Sequence, residues 1–159
     1  DHPGTPILHV GRFTRGKGRF IPLEYKPPAE LPDEHYPLTL TTGRSLYQFH
    51  TGTLTRRVKG LNALRGEEWA EMNPADAQSR GIRDGDMVRT FNDRGVVIVP
   101  VKVTSRIRPG VVDLPEGACY NPDKSGVDRG GSPNVLLRDD MSPGGAFAGN
   151  TGLVQVEKA

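Results

Sequence analysis

Apolar positions in this chain come in short runs separated by Gly, Pro, Asn and Asp, and none of the runs has the length or the 3.6-residue spacing of a long amphipathic helix. The clearest run is Val96-Val-Ile-Val-Pro-Val-Lys-Val103. It follows Met87-Val-Arg-Thr-Phe91, and the intervening Asn92-Asp-Arg-Gly95 predicts a turn, so the whole segment predicts a β-hairpin. Earlier in the chain, Thr39, Leu40, Thr41 and Thr42 predict a strand that ends at Gly43, where the backbone is free to turn and to approach a ligand closely. Between strand and hairpin, Asn73 predicts a helix N-cap, Pro74 the first helical position and Gly81 the end of the helix; Asp84-Gly85-Asp86 then predicts a turn. Arg108-Pro-Gly110 opens a further buried strand that closes in a Gly-containing loop near Tyr120. Residues Asn121 to Asn134 have no periodicity and predict a long, polar, flexible loop, and a last strand follows Gly149-Asn-Thr151.

Composition narrows the class. With 159 residues the chain suits one domain, and 20 Gly and 14 Pro against 35% hydrophobic residues favour a turn-rich β or α+β fold over a helical bundle. A net charge of +2 lacks the footprint of a dedicated nucleic-acid binder. The local cluster Arg12, Arg15, Lys17 and Arg19 is interleaved with glycines and reads as a solvated loop. No apolar stretch is long enough to span a bilayer, and no basic-then-apolar leader is present. One cysteine excludes an internal disulfide framework and a Cys-rich metal cluster.

The candidate chemistry lies beyond Gly43. Arg44 stands at the strand exit, and Ser45, His50, Thr51, Gly52, Thr53 and Thr55 supply hydroxyls, an imidazole and backbone donors, with Arg56 and Arg57 adding positive charge suited to phosphate oxygens. Each also has a plainer reading: His50 as a partly buried structural histidine, Arg44 as the partner of a carboxylate such as Glu71 or Asp86. Asp139-Asp140, Glu67-Glu68 and the Asp84/Asp86 pair fall in turns or solvated ends, and Cys119 reads as a small buried side chain. There is no nucleophile elbow, HExxH, P-loop or GxGxxG.

Thr42-Gly-Arg44 followed by His50-Thr-Gly-Thr-Leu-Thr-Arg-Arg57 resembles the cofactor loop of formate dehydrogenases and periplasmic nitrate reductases. With Asn73-Pro-Ala-Asp-Ala77 and Gly81-Ile-Arg-Asp-Gly-Asp86, the resemblance extends over most of the chain to the C-terminal domain of the dimethyl sulfoxide reductase superfamily. That family implies a mainly β (α+β) fold, a six-stranded double-psi β-barrel with a few short helices. Residues 36–159 would form the barrel, and residues 1–35 a short strand, formed around Gly18 to Tyr25, and a proline-stiffened run-in. It also implies two molybdopterin guanine dinucleotides per molybdenum or tungsten. The implied contacts are Thr42, Gly43, Arg44, Ser45, His50, Thr51, Gly52, Thr53, Glu116, Gly117, Asn134 of Asn134-Val-Leu136, and Asn150, which stands where relatives place a lysine.

The barrel would position a cofactor that carries the redox chemistry, with no catalytic residue and no metal ligand of its own. Its implied partners are the rest of a catalytic subunit and an iron–sulfur electron-transfer subunit, any iron–sulfur cluster lying outside this chain. Neither nucleic acid nor membrane insertion is implied, and the compartment, cytoplasmic or periplasmic, stays open. The first half most resembles formate dehydrogenases. Gly117 to Gly131, Asn134-Val-Leu and Ser142-Pro143 resemble anaerobic dimethyl sulfoxide reductase catalytic subunits, and a stand-alone, non-catalytic barrel subunit is a further alternative.

Overall fold

The computed structural model describes residues 16, 18, 20–141, 146, 147 and 149–159. Arg12, Arg15, Lys17, Arg19 and Ser142-Pro143 lie outside the described residues. Six strands, β1 (Leu38–Thr41), β2 (Ala70–Met72), β3 (Met87–Asn92), β4 (Gly95–Val103), β5 (Val111–Asp113) and β6 (Gly152–Lys158), close into a barrel in the order β1-β5-β2-β4-β3-β6. Two short helices, α1 (Lys59–Leu64) and α2 (Pro74–Ser79), and 3-10 turns at Thr55–Arg57 and Pro133–Val135 decorate it. The β1/β5 and β2/β4 pairs are parallel and the other four antiparallel, and Leu38 opposite Val154 closes the ring. This is the six-stranded double-psi barrel with few helices that the resemblance implies.

Side chains alternate across each strand, and one set fills the barrel. Val97, Val99 and Val101 of β4, Leu38 and Leu40 of β1, and Val154 and Val156 of β6 are buried together with Met72, Val112 and Leu114. Each such side chain contributes roughly 1.5–3 kcal/mol by leaving water. On β3 the same alternation buries Val88, Thr90 and Asn92 and turns Phe91 outward, where the Arg89 guanidinium lies 3.9 Å over its ring. Asn92 repays its burial with hydrogen bonds: its amide donates to the carbonyls of Leu136 and Leu153, each at 2.8 Å, and its Oδ1 accepts from Arg94 N at 3.0 Å.

The helix signals are realised by specific bonds. Asn73 Oδ1 accepts from Ala75 N at 2.9 Å and Pro74 opens α2. At the other end Gly81 (φ 65°) donates to Gln78 O and Ile82 to Ala77 O, a double closure that places Ile82 and Ala77 in the core. Asp84 and Asp86 are turn residues, as their spacing predicts. Asp84 accepts from Val103 N at 2.8 Å and Asp86 from Arg83 N at 2.9 Å; these bonds, with Lys102 and Lys158 beside them, hold both carboxyls below the usual range.

Four local expectations are corrected. The strand expected between the Arg108-Pro-Gly110 turn and the glycine-containing loop near Tyr120 is limited to the three residues of β5, because the chain leaves the ladder as Pro115 approaches. Residues 20–28 form no strand and are exposed, since a closed barrel offers no free edge to pair with. The segment 121–134 is not a loose loop. The fully buried Asp128 accepts from Asn121 N (2.7 Å), Gly130 N (3.0 Å) and Ser132 N (2.6 Å) and knots it closed. Finally, β1 stops at Thr41, one residue short of the expected end, because Thr42 N turns to Asn150 Oδ1 at 3.0 Å.

Candidate functional site

The two halves of the polar motif are joined by a third segment. After β1, Gly43 N donates to Asp113 Oδ1 at 2.6 Å, and a Cβ at Gly43 would stand 2.7 Å from that oxygen, so only glycine lets the strand exit seat on β5. Glu116 N returns a bond to Gly43 O at 2.8 Å. The Glu116 carboxylate then faces Arg44 Nε at 3.2 Å and His50 Nδ1 at 3.9 Å, which makes Glu116, rather than Glu71 or Asp86, the carboxylate that Arg44 meets. Gly117 (φ 98°) packs directly against the Thr51 backbone. Glu116 and Gly117 therefore stitch the strand exit to the His50–Thr53 crest.

The crest has its own internal frame. Gln48 donates to Arg65 O at 2.8 Å and accepts from Thr55 Oγ1 at 2.7 Å, while Thr55 Oγ1 also accepts from Phe49 N at 3.0 Å. His50 takes a positive φ of 52°, a left-handed conformation that His tolerates better than most residues. Thr51 and Thr53 bring their hydroxyls within 3.1 Å of one another.

These segments wall a cavity of about 870 Å³. Of the residues expected at the site, Thr51, Gly52, Thr53, Glu116, Gly117 and Asn134 line it. Thr42, Gly43, Arg44, Ser45, His50 and Asn150 lie outside the lining and brace it. Thr42 Oγ1 donates to Gly149 O (3.1 Å) and Asn150 Oδ1 (3.0 Å), and Ser45 Oγ reaches Glu68 Oε2 at 3.4 Å. Arg56, Arg57 and Arg138 are the basic residues of the lining, and Glu116 and Asp139 the acidic ones. Arg57 has no ion-pair partner among the described residues, and Arg138 pairs with Asp140 at 2.7 Å.

Two readings of single residues change, and two lining residues went unread. Cys119 is exposed at the cavity rim, not buried, because the chain has already left the ladder there. Glu68 is buried, not solvated: its carboxylate pairs with Arg56 and, at 3.3 Å, with Arg65. Arg138 and Leu137 line the cavity but carry no signal in the sequence; both are placed by the 3-10 turn that follows the Asp128 knot.

Asp113 supplies the pH dependence of the strand exit. Burial, with Glu71 nearby, raises its carboxyl above the ordinary value, and the Gly43 N–H offsets this only in part. A carboxyl raised in the folded state contributes stability in full below its unfolded value, about 3.9, and loses it as pH rises through the folded value. The stability of the chain relative to Asp113→Asn is therefore expected to fall as pH rises from about 4 toward neutrality. Urea midpoints of both proteins across that range measure it, and a flat difference would refute the assignment. Asp123 has the opposite sign but is common to both: Ser125 and Arg129 hold it down to about 2, so its contribution is lost as pH falls toward that value.

The cavity fits a phosphorylated ligand. Gly52 and Gly117 let the Arg56 side chain and the Thr51 backbone pack closely at its wall, threonines and arginines are among its lining residues, and the buried Arg56 Nε has no hydrogen-bond partner among the described residues. Comparison with known proteins agrees. Residues 38–148 match the Molydopterin dinucleotide binding domain family. The chain is 44% identical over 117 residues, 72% of its length, to the F420-dependent formate dehydrogenase subunit alpha of Methanocaldococcus jannaschii. It is 48% identical over 130 residues, 79% of its length, to the dimethyl sulfoxide reductase DmsA of Escherichia coli. It spans only 17% and 15% of those two relatives. Among solved structures, acetylene hydratase from Pelobacter acetylenicus superposes over 78% of this chain and 18% of its own length, with a TM-score of 0.64 and 21% identity, which bears on the fold alone. The family match spans β1 to β5 and every residue that lines the cavity; the chain belongs to the Molydopterin dinucleotide binding domain family of the dimethyl sulfoxide reductase superfamily.

Proposed function

We propose that this barrel is the cofactor-holding C-terminal domain of a larger molybdenum or tungsten oxidoreductase that carries two molybdopterin guanine dinucleotides per metal. The observation that carries this reading is the convergence of Thr51–Thr53, Glu116–Cys119 and Ser132–Asn134, far apart in sequence, on one cavity that Arg56, Arg57 and Arg138 also line. Thr51, Thr53 and Arg57 would meet phosphate oxygens, and Asn134 would hydrogen-bond to the pterin. Thr42, Gly43, Arg44, Ser45, His50, Glu116, Gly117 and Asn150 would keep those groups in register or meet the ligand's far end. The bound cofactor supplies the redox chemistry. The chain's residues bind it, orient it and fix its hydrogen bonds.

The complete enzyme is proposed to act on formate, as the first relative above does. Sulfoxide reduction is a second reading, favoured by the higher identity and longer match to DmsA. The rest of the catalytic subunit and an iron–sulfur electron-transfer subunit are its proposed partners. A stand-alone barrel subunit of a larger complex is the non-catalytic alternative. Anoxic isolation of the native complex, elemental analysis and assay of guanine nucleotide after acid hydrolysis test the proposal. Two nucleotides per metal are expected, after which formate oxidation and sulfoxide reduction separate the two reactions. A complex with neither metal nor nucleotide would sink the reading.

A further inference from the structure

Arg56 is built into the site from below. Its Nη1 donates to Gly66 O at 2.9 Å, its other terminal nitrogen pairs with Glu68, and its backbone N donates to Gly52 O at 2.9 Å. The side chain runs through the space that a Cβ at Gly52 would need, with Nε at 2.8 Å and Cγ at 3.1 Å from that point. The glycine of Thr51-Gly52-Thr53 thus does two things: it takes a positive φ of 73°, and it lets a guanidinium pass directly under the crest. Arg56 also forms a wall shared by the cofactor cavity and a second cavity of about 750 Å³ that reaches Glu68, Cys119, Tyr120 and Arg129.

Glu68 governs where this guanidinium sits. Its side chain is only 2% exposed, and it faces Arg56, Arg65 at 3.3 Å and the Ser45 hydroxyl at 3.4 Å. Arg65 is itself fixed, its guanidinium lying 3.1 Å over the Trp69 ring. A carboxylate so enclosed has little freedom, so the arginine it holds has little either.

We propose that Glu68 is a positioning residue for the cofactor site: it holds the Arg56 guanidinium beneath the Thr51–Thr53 crest, so that guanidinium and crest together grip an anionic, phosphate-bearing ligand. The proposal rests on the cofactor reading above. It assigns Ser45 an indirect part, through Glu68.

The test compares the complete enzyme with its E68Q variant and with E68Q/R56M, a double variant that removes both members of the pair. Two quantities are read: the rate at which guanine nucleotide is lost during dialysis against rising salt, and the unfolding midpoint of the cofactor-stripped protein. Glu68→Gln is expected to release nucleotide at least about tenfold faster, the scale of one lost charge-assisted hydrogen bond. The double variant is expected to regain thermal stability, since no unpaired Arg56 charge stays buried, without regaining nucleotide retention. If E68Q does not fold, the double variant decides alone. Wild-type retention in E68Q, or recovery of both quantities in the double variant, would overturn the positioning role. A wild-type enzyme without nucleotide would overturn the cofactor reading and this proposal with it.

Discussion

Replacing Asp128 with alanine is expected to cost about 4 kcal/mol of folding stability, a large fraction of what a domain of this size has to lose. The carboxylate is fully buried and satisfies three backbone N–H groups, those of Asn121, Gly130 and Ser132. Alanine leaves all three without an acceptor, and each unsatisfied buried donor costs roughly 1–3 kcal/mol. Asparagine is expected to lose less. Its oxygen can keep the Asn121 and Gly130 bonds, while its amide nitrogen turns a donor toward Ser132 N. Urea unfolding of the three proteins should rank them wild type, Asp128→Asn, Asp128→Ala; an alanine variant within about 1 kcal/mol of wild type would refute the knot. The consequence reaches the site, because Ser132, Pro133 and Asn134 follow the knot directly and line the cavity.

The second large effect is expected from Gly117→Ala. An added Cβ would lie 2.3 to 2.5 Å from the carbonyl oxygen, carbonyl carbon and Cα of Thr51, and these are backbone atoms that cannot rotate away. The φ of 98° adds strain that alanine cannot relieve. Crowding and strain together should destabilise by about 2–4 kcal/mol. The backbone must separate there, so the His50–Thr53 crest should lift from Glu116. The expected signature is a lower urea midpoint together with faster amide exchange at Thr51 to Thr53, whereas exchange at the β3–β4 hairpin should change only as far as global stability does. Unchanged exchange at the crest would show that Gly117 does not hold it.

The turn and cap chemistry was readable because it is local. Asn73-Pro74, Gly81, Asp84-Gly85-Asp86 and the hairpin turn at Asn92-Asp-Arg-Gly95 all do what their types dictate, since the groups they satisfy lie within a few residues. Where a residue's burial depends on how the rest of the fold packs over it, the reading failed. Nothing about Asp128 in a polar, glycine-containing stretch distinguishes a buried knot from a solvated loop. Glu68 next to Glu67 looks like a solvated pair until Arg56 and Arg65 close over it. Cys119 looked buried because the run before it is apolar, yet β5 ends at Asp113 and the chain has left the barrel wall by then.

The same division applies to the site. The motif Thr42-Gly-Arg44 and His50-Thr-Gly-Thr53 named the polar groups and, through the family it resembles, the kind of ligand, because residue types and spacing are enough to specify donors, charge and glycine conformations. Which of these groups line the cavity was decided by the tertiary structure. Thr51, Gly52 and Thr53 face it, while Thr42, Gly43 and Ser45 turn to Asn150, Asp113 and Glu68. The physical reason is that a polar side chain goes to whichever partner the closed barrel brings within about 3 Å. Barrel closure pairs β1 with β5 and β6, strands that begin more than 60 residues away, and no local pattern encodes that distance.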